Sequence, residues 1–379
     1  MAPEPRHQPI VPSYGGTALA DLSASVAASL GIPDYPNVLA LDSARRACIL
    51  LVDGLGWEQL RDSPAAAPFL SELALNSRAL TAGFPSTTVT SLGSLCTGLP
   101  PGQHGMLGYQ VMIPGEGRLL NGLRWDPQID PRRWQAHPTI YERAAGAGIA
   151  AFHVAQGSFR GSGLTTALMR GAEYLAADSM GALAARASAA LNDNPRALVT
   201  VYHGDLDGAG HVFGVGSDAW RKQLAHVDKL AEQLAADLPS GTSLYVTGDH
   251  GMVDIGAEDR IDLDAETALR EGVAVLGGEP RARHVYARPG AAAEVLAAWR
   301  EVLGERAWVL SRDEAIKEGW FGPVEAGMTE RIGDVVAAAA GNTALVATQA
   351  EPRESALFGM HGSLTPSEQL IPGLVFTAI

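Results

Sequence analysis

The chain has 379 residues, of which 46% are hydrophobic and 18% charged, and its formal net charge is −14. That balance excludes a disordered chain, and it excludes a surface built to grip the nucleic-acid backbone, which requires a basic face. The length suits one large α/β domain with an insertion, or two modest domains.

The first stretch, "MAPEPRHQPIVPSYGG", has no apolar run of the kind that forms a signal-peptide core. No segment is apolar for long enough to span a bilayer. The reading is a cytoplasmic protein without membrane partners. Cys48 and Cys96 sit inside the apolar runs "ACILLVD" and "TSLGSLCTG" as small core residues, with no disulfide framework.

In chain order, five short apolar runs read as strands: "ACILLVDG", "GIAAFHVA", "ALVTVYH", "SLYVTGDHG" and "GLVFTAI". The amphipathic stretches "PTIYERAAGAG", "SMGALAARASAALN" and "SDAWRKQLAHVDKLAEQLAADL" alternate with them as helices. Continuous apolar strands alternating with helices predict a mostly parallel sheet covered on both faces. Such sheets bind ligands at the carboxyl ends of their strands.

Those ends are acidic. Asp53 closes the first run, Asp205 and Asp207 follow "ALVTVYH", and Asp249 with His250 closes "YVTGDHG". The stretch "YHGDLDGAGHVFG" has two readings. Gly and Asp are ordinary turn residues, so it reads as a solvated turn. It also reads as part of a metal site, because Asp207 and His211 are four apart and can reach one ion. His203 and Asp205 read as turn residues or as supports behind such ligands. His361 stands in a Gly-flanked loop, "FGMHGSLTPSE", before the last strand. His7, His226 and His284 read as surface or helix residues, His137 as a loop residue and His153 as part of a buried strand.

"GFPSTTVTSLGSLCTGLPPGQHG" reads as an N-capped helix opening on Ser86, Thr87 and Thr88. One hydroxyl suffices for a cap; three in a row call for a second use. A helix N-terminus favours phosphate, and a neighbouring metal makes a Thr or Ser hydroxyl a competent nucleophile.

The ordered pieces "VDGLG", "FPSTTVTSLGSLCTGLPPGQHG", "DLDGAGHVFG", "TGDHGM" and "MHG" resemble the type I phosphodiesterase/nucleotide pyrophosphatase family of the alkaline phosphatase superfamily. The resemblance runs from Asp53 to His361. It implies an α/β, alkaline-phosphatase-like three-layer sandwich with a mostly parallel central sheet and a small inserted cap. It also implies two divalent ions, zinc before manganese or iron. Asp207, His211 and His361 would hold one ion; Asp53, Asp249 and His250, with the nucleophile, would hold the other. Ungapped alignment back from "TGLPPGQHG" puts the nucleophile at Thr88, with Thr87 one residue away as the alternative.

The activity so implied is hydrolysis of phosphodiester or nucleotide pyrophosphate bonds through a phospho-threonine. The partner would be a small phosphorus ester, nucleotides included, and not a nucleic-acid polymer. A phosphomonoesterase or a phosphonate C–P hydrolase is the alternative on the same scaffold. A catalytically silent metal-binding protein is a third reading, opposed by the presence of all six ligand candidates and the threonine. Tyr109 stands where the family has a phosphoryl-binding asparagine, and a phenol donates one hydrogen bond where an amide donates two. No Cys-x-Pro-x-Arg signature of a sulfatase is present.

The organisation expected is a catalytic core over 36–253 and 342–379, a cap-like insertion over 254–341, a loop-rich insertion over 106–137 and an N-terminal extension over 1–35. In the loop-rich insertion, Arg124, Trp125, Arg132, Arg133 and Trp134 read as packing and surface residues or as groups facing a bound base. Arg331 and Asp334 receive no catalytic role.

Overall fold

Seven strands build the central sheet: β1 (Arg46–Val52), β2 (Arg78–Thr81), β3 (Ala150–Ala155), β4 (Glu173–Ala176), β5 (Ala197–His203), β6 (Thr242–Gly248) and β7 (Leu370–Thr377). In this computed structural model, which describes residues 8–378, they lie in the order β2-β7-β6-β1-β5-β3-β4. His7 and the rest of residues 1–7 fall outside the described residues. The pairs β1–β5, β1–β6, β3–β5 and β3–β4 are parallel. Only β7 opposes them, antiparallel to both β6 and β2. The short strands β2 and β4, at the two edges, are additions to the five runs read from the sequence.

The helices that cover the sheet are α1 (Leu19–Ser29), α2 (Thr88–Thr97), α3 (Ile140–Gly146), α4 (Met180–Asp193), α5 (Asp205–Phe213) and α6 (Asp218–Ala236). Strand β1 shows why three layers form. Ala47, Ile49 and Leu51 point into one core with Val26 of α1, Leu95 of α2 and Ile140 of α3. Cys48, Leu50 and Val52 alternate to the other face, against Leu191 of α4 and Leu224, Val227 and Leu230 of α6. Side chains of a strand alternate between faces, so a wholly apolar run must be covered twice. Each such buried aliphatic side chain contributes roughly 1.5–3 kcal/mol of burial free energy.

The register sets the site. Val52 lies opposite both His203 and Gly248, so β1, β5 and β6 end flush. Asp53, Asp205 and Asp249 therefore emerge from one edge of the sheet.

Between β6 and β7 the chain forms a second, four-stranded antiparallel sheet, ordered Val273–Glu279, Ala282–Ala287, Val335–Ala339, Ala307–Ser311. Helix Ala292–Leu303 covers one face through Val295, Trp299 and Leu303. The opposite face joins the main core through Ala282, Val336 and Ala338. Trp320 and Phe321 pack their rings against Phe84, with centroids 5.0 and 5.4 Å apart. At the root of this unit Arg260–Asp262 pairs in parallel with Ala344–Val346. Arg281, in the tip of the first hairpin, reaches the core and donates to Glu368 from Nε (3.0 Å) and Nη2 (2.6 Å), with both side chains fully buried.

In the 106–137 region, strands Gln110–Met112 and Leu119–Asn121 form a hairpin, fastened to the second sheet by the Met112 N–H donating to the Tyr286 hydroxyl (2.9 Å). Trp134 is buried, with the Arg331 guanidinium 3.8 Å above its ring; Arg132 and Arg133 are exposed. Asp334 pairs with Arg312 (2.8 Å). His284 differs from its surface reading. It is fully buried in strand Ala282–Ala287, its Nε2 donating to Leu107 O (2.9 Å) and its Nδ1 accepting from Gly333 N (3.1 Å). Among the described residues no helix is long and apolar enough to cross a membrane.

Breaking a buried ion pair leaves an uncompensated charge. Arg281→Ala is expected to destabilise the protein by roughly 3–5 kcal/mol, read as a lowered urea midpoint, whereas replacing the pair together (Arg281→Met with Glu368→Leu) should cost far less.

Candidate metal centre and active site

"DLDGAGHVF" is helix, not turn: it forms α5, and its periodicity puts Asp207 and His211 on one face with Asp207 Oδ2 3.2 Å from His211 Nε2. Two glycines allow the close approach. Gly54 has φ +75°, and a Cβ there would stand 3.0 Å from Asp207 Cα; a Cβ on Gly210 would meet the Met252 sulfur at 2.4 Å. Asp53 follows β1 and Asp249 follows β6, and both are buried. His361 arrives from the loop after strand Gly359–Met360.

These residues converge. The ligand atoms of Asp207, His211 and His361 lie within 4.8 Å of one another, and so do those of Asp53, Asp207 and His250. The first trio is one of the two sets expected. The second differs in taking Asp207, which thus stands between the two groups; Asp249 remains beside it, with Oδ2 3.5 Å from His250 Nε2.

The donors are prepared for a cation. Asp249 Oδ1 accepts from Gly54 N and His250 N, both at 3.0 Å, and Asp53 Oδ2 accepts from the Tyr202 hydroxyl. The other oxygens, Asp249 Oδ2 and Asp53 Oδ1, are buried without a hydrogen-bond partner, as is Asp207 Oδ1. Each histidine has Nδ1 on a backbone carbonyl: His211 on Gly359 (2.7 Å), His250 on Gly251 (3.0 Å) and His361 on Ser86 (2.9 Å). A carbonyl only accepts, so Nδ1 carries the proton and Nε2 presents its lone pair in the neutral ring. Buried carboxylate oxygens and imidazole Nε2 atoms are the donor set of a divalent metal site. These residues fit one.

The same crowding controls protonation in the protein without metal. Burial and repulsion from Asp53 push Asp249 well above the carboxylate range. Burial opposes the charge of His250, but Asp249 and Asp53 outweigh it and raise the ring to about 10. Burial likewise opposes charge on His211, and Asp207 overcomes it, raising that ring to about 9. Burial, aided by His250 and His211, holds His361 neutral, well below its ordinary value.

Thr88 is the first residue of α2. Its Oγ1 stands 3.4 Å from Asp53 Oδ2 and 3.5 Å from His250 Nε2. Thr87 occupies the N-cap with extended backbone, yet its side chain makes no capping bond. It turns away and donates to Glu279 Oε2 (3.2 Å). Neighbouring bonds lock this segment to both sides of the site: Ser86 N donates to Gly362 O (3.0 Å) and Ser91 Oγ to Asp249 O (2.7 Å).

Two recesses flank Thr88 and Asp207. One, of about 250 Å³, is lined by Thr87, Tyr109, Glu279, Glu354 and His361 among others. The other, of about 460 Å³, is lined by Leu92, Leu123, Phe159, Leu164 and Tyr202 with polar groups such as His153 and Gln156. Tyr109 donates to Glu354 Oε1 (3.1 Å). Of the insertion residues considered for a bound base, Arg124, Trp125, Arg132, Arg133 and Trp134 line neither recess; Leu123 lines both.

The family profile described as type I phosphodiesterase / nucleotide pyrophosphatase matches residues 47–364. The chain belongs to that family. As a type I phosphodiesterase/nucleotide pyrophosphatase family member it is an enzyme of the hydrolase kind. Its fold is that of murine ectonucleotide pyrophosphatase/phosphodiesterase 5, an inactive variant solved with AMP, with a TM-score of 0.70 at 19% identity over 88% of each chain. The human counterpart gives 0.69 at 20% identity over 87% of each chain. Phosphonoacetate hydrolase from Sinorhizobium meliloti, solved with phosphonoformate, gives 0.66 at 20% identity over 89% of this chain and 91% of that one. No curated protein matches the chain by sequence.

Several polar residues lining this family member's site escaped the sequence reading, Tyr202, Glu279, Glu354 and Gln156 among them. Tyr202 was visible as the penultimate residue of a strand whose end carries ligands. Glu279 had no local signal, lying in the second sheet far along the chain from Thr87.

Because metal must displace the protons of His250 and His211, its apparent affinity should rise between pH 7 and pH 9. Calorimetry in buffers of different ionisation enthalpy should register proton release on binding. Asp207→Asn should lower metal content most among single carboxylate variants, because Asp207 belongs to both groups.

Proposed function

We propose that the chain is a two-metal hydrolase of phosphodiesters or nucleotide pyrophosphates that works through a phospho-threonine at Thr88. The observation carrying this reading is the Thr88 hydroxyl, within 3.5 Å of Asp53 and His250 at the N-terminus of α2 and so beside one of the two groups of ligands. Asp207, His211 and His361 would hold one ion, and Asp53, Asp249 and His250 with Thr88 the other. Zinc is the metal the His-rich donor set favours. When bound, a pair of divalent ions supplies positive charge for the attacking and leaving oxygens of an in-line displacement.

The chain's own groups do the rest. Thr88 Oγ1 attacks phosphorus as the leaving oxygen departs on the opposite side, forming a Thr88 O–P bond and breaking the scissile P–O bond, with net transfer of the Thr88 hydroxyl proton to the departing oxygen. Water then cleaves the Thr88 ester and returns the hydroxyl. The two recesses beside Thr88 suit a substrate with an arm on each side of its phosphorus. AMP in the murine relative supports a nucleoside among the arms.

A phosphonate or monoester activity is the second reading. The fold shared with phosphonoacetate hydrolase and the tyrosine at position 109, bonded to Glu354, favour it.

Thr88→Ala should lower kcat by about a thousandfold or more while metal content, by elemental analysis, is retained. Full activity in that variant would transfer the role to Thr87 or to water. With zinc-loaded protein, bis-nitrophenyl phosphate should be hydrolysed well ahead of nitrophenyl phosphate. The opposite order would favour the monoester reading.

A further inference from the structure

The edge of the central sheet that carries β2 is only half closed. Residues 370–373 of β7 pair with β2, and there the pairing stops, because the chain before Arg78 turns off toward the helix Pro68–Ala74. Residues 374–377 pair with β6 alone. Ala378 N donates to Thr242 O, so by the alternation of an antiparallel ladder Leu374 and Phe376 bond β6, while Val375 and Thr377 turn their N–H and C=O groups outward. Sheets usually guard such an edge with lysine, proline or a bulge. The run "LVFT" has no such residue, and its ladder with β6 is unbroken.

A groove of about 520 Å³ lies along this open row, within the usual range for a ligand site. Leu22, Leu39 and Leu41 line it from one face of the sheet, and Phe69, Leu73 and Phe376 from the other. Val375, also in its lining, is 41% exposed. The groove shares no residue with the recesses beside Thr88, and residues 374–377 lie toward the amino ends of the parallel strands, away from the metal centre. Outward N–H and C=O groups in a row are complementary to another extended backbone, whose side chains would alternate between the two apolar walls. Because walls stand on both faces, a single extended chain enters between them, whereas the edge of a second copy brings its own layers against them.

Charge sets the direction of that chain. Arg78, where β2 stops, lines the groove; its side chain is exposed and has no ion pair or hydrogen bond among the described residues. A segment antiparallel to β7 runs in line with β2, so its carboxyl end abuts Arg78. A guanidinium and a carboxylate match through two parallel hydrogen bonds. Glu72, exposed and equally unpaired on the helix that carries Phe69 and Leu73, favours a basic residue elsewhere in the segment. We propose that this groove docks the carboxyl-terminal segment of a partner protein, which adds to β7 as an antiparallel strand with apolar side chains on both faces and its terminal carboxylate on Arg78.

The probe is the peptide KTLVFV, fluorescein-labelled at its amino end, offered to the full-length protein as the free acid and as the carboxyl-terminal amide and followed by anisotropy. The free acid should bind about tenfold or more tighter, and Arg78→Ala should bring the ratio to within about twofold. Thr377→Pro, which removes an outward N–H and spares the β6 ladder, should weaken both peptides about fivefold or more. Retained metal content shows that the variants are folded. Binding of the free acid should also slow amide exchange at Val375 and Thr377, which side-chain contact alone would not do. Absence of binding, equal affinity of acid and amide, or binding that leaves exchange at both amides unchanged would overturn the docking site, and none of the three needs a variant. A dimer in sedimentation velocity that Thr377→Pro disperses would also overturn it, assigning the edge to a second copy.

Discussion

Three carboxylates, Asp53, Asp207 and Asp249, are held together in a largely buried space, and their mutual repulsion is the constraint around which the molecule is arranged. Left alone, such groups lower their charge by taking up protons. The upward shifts of Asp249 and His250 express that tendency. A divalent cation relieves it more fully, because it satisfies the orphaned oxygens and the imidazole Nε2 atoms at once. The flush ends of β1, β5 and β6 hold the carboxylates against their repulsion. The cores on both faces of the sheet supply the burial free energy that offsets it.

The second sheet is part of that arrangement rather than a loose lid. Its hairpin tip is clamped through Arg281 to Glu368, and Glu368 also accepts from Ser363 N (3.0 Å), two residues beyond His361. Trp320 and Phe321 fill the space beside Phe84, just before the segment that carries Thr88. Glu279 therefore reaches the active-site recess from a fixed position. A fixed wall suits discrimination between substrate arms, since a polar group that cannot relax away penalises the arm that leaves it unpaired.

Much of this was legible in the chain. Apolar runs ending in Asp53 and Asp249 announced strands whose carboxyl ends face a ligand. The four-residue spacing of Asp207 and His211 survived a wrong assignment of the local backbone: glycine weakens a helix but does not forbid one when a face is packed, as Leu206, Ala209 and Gly210 are. The same logic explains His284. An imidazole looks like a surface group in a polar-flanked stretch, yet it is buried here because Leu107 and Gly333 satisfy both nitrogens. Thr87 looked like a cap and is instead bonded to Glu279. The edge strands β2 and β4 are four residues each and half-buried, too short for periodicity to reveal.

By itself the sequence determined the ingredients: which side chains can ligate, which strands end in them, and which helix presents a hydroxyl at its first turn. These are properties of neighbours in the chain, set by periods of two or 3.6 residues. Tertiary structure alone decided the company they keep. It put Asp207 between the two groups of ligands, bonded Tyr202 to Asp53, fixed each histidine's proton on Nδ1 through a distant carbonyl, and brought Glu279 to Thr87. The reason is physical. Sheet order and register follow from burying apolar faces contributed by the whole chain, and no local spacing records where those faces meet.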